Sequence, residues 1–201
     1  MSAPIQLVAG LGNPGPEYAD TRHNAGFWWV ERVGAPRHAA WRTEAKFHGQ
    51  LARVRESGQE TWLLKPATFM NLSGRAVAAL ARFYKIAPAA ILVAHDELDL
   101  PPGVVKLKRG GGVAGHNGLK DIAMQLGTPD FWRLRIGIGH PGQGADVANY
   151  VLKAPRAEEG AAIEEAIERS AALWPLIAEG NLEAAMHRLH TKPKPEAGSA
   201  E

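Results

Sequence analysis

The sequence predicts an α/β fold, a single domain with a mostly parallel, twisted, mixed sheet and helices on both faces. Three observations carry this. Short apolar runs alternate along the chain with longer segments whose apolar residues recur every three or four positions. The connections between them are dense in Gly, Pro, Asn and His and fall where strands end. A chain of 201 residues with 45% apolar and 22% charged content suits one ordinary core and argues against disorder, a fibre or a coiled coil. The domain is expected over residues 1–190. Residues 191–201, with Pro193, Pro195 and no large apolar side chain, are expected to form a disordered tail.

Ile5–Gly10, led by Ile5, Leu7 and Val8, reads as a buried first strand. A Gly/Pro loop from Gly12 to Thr21 leads to a helix over His23–Val33, with Gly34 suited to end it as a C′ residue. Lys46–Arg55 alternates around Phe47, Leu51 and Val54, and Ser57-Gly58 turns it into Thr61–Lys65, a hairpin. Asn71 or Ser73 caps a helix whose Val77, Leu80, Ala81 and Tyr84 share one face. Ile91–Ala94 is a strand that stops at His95-Asp96, and Val104–Lys108 is another, followed by the glycines Gly110–Gly112 and Gly115. Asn117 opens a helix reaching Leu126, and Phe131–Ile138 returns as a strand. Beyond it, Ile163, Ile167, Ser170, Trp174 and Ile177 mark helix, kinked at Pro175, and Asn181 caps a last helix carrying Leu182, Met186 and Leu189.

Several chemistries are excluded at once. The absence of cysteine removes disulfides, thiolate zinc sites and a thiol nucleophile. None of Ser2, Ser57, Ser73, Ser170 and Ser199 sits in a G-x-S-x-G elbow, and no H-E-x-x-H pair occurs. His187 and His190 stand three apart with no third ligand in view, so neither a metal nor another cofactor is expected. Gly10-Leu11-Gly12-Asn13-Pro14-Gly15 matches the dinucleotide fingerprint, yet Pro14 and Pro16 bracket the glycine that should lie inside a helix. Met1–Gly15 has no Lys or Arg ahead of its short apolar stretch, and no window nears the roughly 20 apolar residues of a membrane span. A cytoplasmic protein without membrane attachment is expected.

What remains is a set of polar residues at strand ends and loop–helix junctions: Asn13, His23-Asn24, Asn71, His95-Asp96 and His116-Asn117. In an open α/β sheet the crevice beyond the carboxyl ends of the strands binds ligands. A His oriented by a carboxylate takes a proton from water, and Asn side chains give neutral donors to an oxygen that turns negative. Taken singly, each residue has a plainer role: Asn13 in a turn, Asn71 and Asn117 as helix caps, Asp96 as a loop-stabilising carboxylate, His23 as an ordinary first-turn residue. Their joint placement favours hydrolysis of an acyl group by a His-activated water.

Charge adds a second theme. The net charge is only +2, but Val104–Arg135 carries Lys106, Lys108, Arg109, Lys120, Arg133 and Arg135 against Asp121 and Asp130 alone. Arg156–Met186 is acidic, with seven Glu against two Arg. Such a dipolar surface orients a polyanion, or is simply two solvated faces.

Together, Val8–Gly15, Tyr18–Gly26, Lys65–Gly74, Val93–Gly103, Gly115–Ile122 and Arg133–Gly142 resemble the bacterial-type peptidyl-tRNA hydrolases, in order over about residues 5–190. The resemblance implies cleavage of the ester joining a peptide to the 3′ ribose of tRNA, with His23 as base and Asp96 orienting it. It implies that Asn13, Asn71 and Asn117 hold the carbonyl, the peptide and the water. Met70 would pack on the substrate, with Tyr18, Asn24 and His116 beside it. Lys108 and Arg135 would clamp a tRNA phosphate, with Lys106 and Arg133 as nearby backbone contacts. It also implies a monomer working in translation and ribosome rescue, with peptidyl-tRNA as its partner and no cofactor. Two departures stand out: Val113-Ala114 replaces a polar or His residue followed by Gly, and Ala67 replaces a common Gln. Two rivals are a non-catalytic RNA-binding relative on the same scaffold and a dinucleotide-dependent enzyme. The joint presence of His23, Asp96 and three Asn weighs against the first, and Pro14 and Pro16 against the second.

Overall fold

The computed structural model describes residues 2–191, so nearly all of the expected tail lies outside the described residues. One sheet of seven strands organises it: β1 (Leu7–Gly10), β2 (Arg42–Glu44), β3 (Gly49–Glu56), β4 (Gln59–Pro66), β5 (Ile91–Glu97), β6 (Val105–Arg109) and β7 (Trp132–Gly137). Their spatial order is β2-β3-β4-β1-β5-β7-β6. β1 pairs in parallel with β4 and β5, and β5 with β7, while the three outer pairings are antiparallel. Five of the seven strands therefore point one way. The helices are α1 (Ala25–Gly34), α2 (Ser73–Phe83), α3 (Asn117–Leu126), α4 (Val147–Val151), α5 (Ala157–Ala171), α6 (Trp174–Ala178) and α7 (Leu182–His190).

Strand alternation sorts the apolar residues into two cores. Val8, Leu63, Leu92, Ala94 and Leu134 face Trp29, Val33, Ile163, Ile167 and Trp174, from α1, α5 and α6. Leu7, Ala9, Leu64, Ile91 and Val93 face Val77, Leu80, Leu119 and Ile122, from α2 and α3. Strands buried on both sides carry continuous apolar runs, which is how β1 and β5 read in sequence. The chain leaves β1 toward β4 on one side and returns to β5 on the other, so the crevice at their carboxyl ends is a topological switch point.

Gly10, the first glycine of the apparent dinucleotide fingerprint, serves packing, as does Gly26. A Cβ on Gly10 would collide with the carbonyl oxygen of Gly26, and one on Gly26 with the carbonyl oxygen of Ala94. The two glycines let α1 lie directly across β1 and β5. Pro14 and Pro16 behave as expected: short 3₁₀ turns at Pro16–Tyr18 and Arg22–Asn24 precede α1.

Several local expectations are corrected. Gly34 is not a left-handed C′ residue; it continues α1, and a Cβ there would come within 2.9 Å of the Ala39 Cβ, so close packing explains it. Phe47 lies in a 3₁₀ turn before β3, and β2, three solvated residues without apolar alternation, gave no signal. Neither Asn71 nor Ser73 caps α2; its Gly74 N–H donates to Asp121 Oδ2 of α3 at 2.7 Å. α3 is capped by His116, not Asn117, through His116 Nδ1 accepting from the Leu119 N–H. Pro175 starts α6 rather than kinking one long helix, and Asn181 sits at the N-cap of α7 without a side-chain bond. The Ser57-Gly58 hairpin holds, with both residues at positive φ (48° and 81°), the pattern of a type I′ turn.

β5 is buried through its last three residues, His95, Asp96 and Glu97. His95 Nδ1 donates to the Asp96 carbonyl at 2.8 Å, and its Nε2 has no partner. Burial, with the nearby His116 adding to it, lowers the His95 pKa from the ordinary 6.5 to about 3.

Two outcomes follow from this architecture. Gly26→Ala should destabilise the fold by about 1–3 kcal/mol or more through overpacking against backbone that cannot move; denaturant unfolding checks it, and unchanged stability would contradict the close approach. His95 stays neutral in the folded chain while the unfolded chain protonates it below 6.5, so its contribution to stability is intact above that pH and falls toward pH about 3. The slope should reach up to about 1.4 kcal/mol per pH unit. Urea unfolding at several pH values should show that slope reduced in His95→Gln, and an unreduced slope would contradict the assignment.

Candidate active site

The carboxyl end of β5 places Asp96 between two imidazoles. His23 Nδ1 lies 2.8 Å from Asp96 Oδ2, and His116 Nε2 lies 2.8 Å from Oδ1. His23 comes from the 3₁₀ turn before α1, and His116 from the N-cap of α3, so three elements meet at one carboxylate. Burial by itself would raise the Asp96 carboxyl; the facing His116 and His23 imidazoles outweigh that and hold it below the usual carboxylate range. An ionised carboxylate only accepts hydrogen bonds, so both rings donate to it.

This assigns the two tautomers from the hydrogen-bond network. His116 Nε2 carries the proton, and its Nδ1 accepts from the Leu119 N–H at 3.3 Å. Both nitrogens of His116 are engaged. His23 donates through Nδ1, which leaves its Nε2 as a basic lone pair at the cleft. His23, Asp96 and His116 offer ligand atoms within 4.8 Å of one another, a spacing that also suits a metal. A metal on His116 Nε2 would move the ring proton to Nδ1, directly against the Leu119 N–H.

Asn13 is fixed just as firmly. Its Oδ1 accepts from the Met70 N–H at 2.7 Å, so its Nδ2 is left as a donor. Asn24 grips the Asn13 backbone at both ends, accepting from Asn13 N–H through Oδ1 at 2.9 Å and donating from Nδ2 to Asn13 O at 3.0 Å. Asn24 is thus buried beneath Asn13 and not part of the cleft wall that sequence reasoning expected.

The cleft itself has a volume of about 470 Å³. Asn13, His23, Asp96, Glu97, His116, Asn71 and Asn117 supply polar groups to it, and Met70 and Tyr18 line it. Asn71 and Asn117 are exposed, free to reach a ligand. Sequence reasoning missed Phe69, which is 57% exposed and meets Tyr18 edge to face, and the apolar wall of Val147, Val151 and Leu152 from α4. It also missed Arg22, whose guanidinium ties the segment carrying His23 to α4 and α5 through the Tyr150 and Lys153 carbonyls and Glu159. A larger hollow of about 590 Å³ between α1 and α5 contains none of these groups.

The four bases expected to meet phosphate share one face of β6 and β7, since Lys106 pairs with Arg135 and Lys108 with Arg133. They do not share one role. Lys108, Arg133 and Arg135 line a hollow of about 250 Å³ that also reaches His116. Arg135 is held by Glu97, whose Oε1 accepts from Nε at 2.8 Å; the adjacency of Glu97 to Asp96 on a strand was the available signal. Lys106 is half-buried at the edge strand. Arg133 is buried, and both terminal nitrogens of its guanidinium are engaged, donating to the carbonyls of Gly111, Gly112 and Pro129, so it ties down the glycine loop. In that loop Ala114, at φ 49°, occupies left-handed backbone that favours glycine. No described helix is long and apolar enough to cross a membrane.

A family model described as peptidyl-tRNA hydrolase matches residues 7–197. The peptidyl-tRNA hydrolase of Nitrosospira multiformis is 61% identical over 188 residues, covering 94% of this chain and 98% of that one. The enzyme of Methylobacillus flagellatus is 60% identical over 190 residues, again covering 94% and 98%. The crystal structure of peptidyl-tRNA hydrolase from Acinetobacter baumannii matches with a TM-score of 0.90 at 46% identity, over 94% of this chain and 96% of that one. The likeness spans every segment that builds the cleft, from Asn13 to Leu152, and this chain belongs to the peptidyl-tRNA hydrolase family of enzymes.

Proposed function

We propose that this enzyme cleaves the ester between a peptide, or an N-blocked aminoacyl group, and the 3′ ribose of tRNA by a water that His23 activates, with neither covalent intermediate nor metal. One observation carries the mechanism: of the two imidazoles on Asp96, only His23 keeps a nitrogen free to take a proton. As the water oxygen bonds to the acyl carbon, its proton passes to His23 Nε2, and Asp96 stabilises the imidazolium. The carbonyl electron pair moves onto oxygen, where the Asn13 Nδ2 donates to the growing charge. The carbonyl then re-forms, the bond to the ribose oxygen breaks, and that oxygen takes the proton back from His23. The products are a free peptide acid and tRNA with a 3′-hydroxyl.

Asn71 and Asn117 hold the peptide and the water in this reading, while Met70 and Tyr18 pack against the acyl side. Asn24 acts through Asn13, and His116 acts through Asp96. Lys108, Arg135 and Lys106 meet phosphate, which positions RNA without reading its sequence. Arg133 supports the loop that ends at His116. The reading carries with it a cytoplasmic monomer that serves translation by ribosome rescue.

Two measurements test it. Offered N-acetyl-aminoacyl-tRNA, the wild type should release tRNA, and His23→Ala should lose on the order of 10²–10⁴ in rate while still binding tRNA. A variant that keeps more than about a tenth of the rate would remove His23 from water activation. In a salt titration of tRNA binding, Lys108→Ala should lower the slope of log affinity against log salt by about 0.7–0.9. Arg133→Ala should leave that slope as in wild type, and an equal reduction would return Arg133 to the phosphate contacts.

A further inference from the structure

A second hollow, of about 300 Å³, shares Asn13 with the catalytic cleft. Its floor is one cross-strand row: Thr43 of β2 pairs with Gln50 of β3, and Gln50 pairs with Lys65 of β4. Residues directly opposite in an antiparallel ladder point to the same face, so these three side chains stand together. Phe27, Trp28 and Glu31 of α1 form the facing wall. Lys65 Nζ is paired with Glu31 Oε1 at 2.8 Å, which neutralises both. The hollow therefore offers a hydroxyl, a carboxamide and aromatic surface without net charge. That chemistry suits the amides and apolar side chains of a peptide, and offers little to an RNA phosphate.

Strand order gives the direction. Lys106 and Lys108 stand on β6, on one side of Asp96 in the sheet, and Thr43, Gln50 and Lys65 stand on the other. At the scissile ester the ribose and the peptide leave the carbonyl carbon in different directions. With RNA over β7 and β6, the peptide leaves over β1 and β4. We infer that this hollow is a subsite for the peptide chain upstream of the ester, an inference that rests on the hydrolase reading above. Neighbouring strands are about 4.8 Å apart, so β4, β3 and β2 lie roughly 10, 14 and 19 Å from β5. An extended chain advances about 3.3 Å per residue, so roughly the third to sixth residue back from the ester reaches the row.

The test is to compare N-acetyl-aminoacyl-tRNA with an N-acetyl-hexapeptidyl-tRNA carrying the same last residue. In the wild type, KM should be several-fold lower for the long substrate, the size of one or two net hydrogen bonds. Gln50→Trp, which fills the hollow, should bring the ratio of the two KM values toward one, and the milder Thr43→Ala/Gln50→Ala double variant should bring it part of the way. Equal KM values in the wild type, or variants that leave the ratio unchanged, would overturn the subsite. A change in the salt slope of tRNA binding in Gln50→Trp would assign the surface to RNA and overturn it as well. Failure of the wild type to release tRNA from either substrate is a separate outcome, and it would remove the hydrolase reading together with this one.

Discussion

Asp96 is the group on which the site depends. Its carboxylate is almost fully buried, and a buried charge is tolerable only when it is paired and hydrogen-bonded. His23 and His116 meet that requirement, each at 2.8 Å. In satisfying one carboxylate they become unlike each other. His116 is locked by its second bond to the start of α3, so of the two rings His23 is the one left with a free nitrogen. A structural need, the stabilisation of a charge at the end of β5, thereby sets the two imidazoles apart, and the proposed base is the one it leaves free.

The rest of the fold brings three chain segments to that point and keeps them there. Gly10 and Gly26 let α1 settle against the ends of β1 and β5, which sets His23 beside Asp96. Asn24, next in sequence to His23, grips the backbone of Asn13, so His23 and Asn13 are held by one short segment. Asn13 Oδ1 in turn holds the Met70 N–H, and Gly74 is held by Asp121, so the turn carrying Asn71 is fixed from two sides. Arg133 fixes the glycine loop before His116 through three backbone carbonyls. His23, Asp96, His116 and Asn13 are thus held in place before a substrate arrives, the condition under which donors act most strongly on developing charge.

The sequence made the sheet legible where period and length agree: β1 and β5 as apolar runs, and β3–β4 as a hairpin with a turn that demands positive φ. It hid β2 and α4, because three solvated residues or a five-residue helix carry too few positions for a period to emerge. Caps were misassigned because a helix start can be satisfied from another element, as Asp121 does for Gly74. The site residues were visible as polar types at strand ends, and Asn13, His23 and Asp96 do meet at one cleft. Their division of labour was not legible. Arg133 and Arg135 have the same side chain on the same face two residues apart, yet one is buried with its terminal nitrogens on loop carbonyls and the other is held by Glu97. Burial of that kind depends on segments distant in sequence. Asn24 illustrates the same limit, since its role depends on the backbone of Asn13 eleven residues earlier.

The central claim is that one carboxylate holds two histidines in opposite tautomers, and nitrogen NMR of the imidazole rings reads this directly. At neutral pH, His23 should carry its proton on Nδ1 with a free Nε2, while His116 should carry its proton on Nε2 with Nδ1 accepting a backbone N–H. Both rings should show strongly hydrogen-bonded N–H protons that vanish from that environment in Asp96→Ala. Finding His23 protonated on Nε2 alone, or His116 with its proton on Nδ1, would contradict the account, because the site would then lack the base assigned to it.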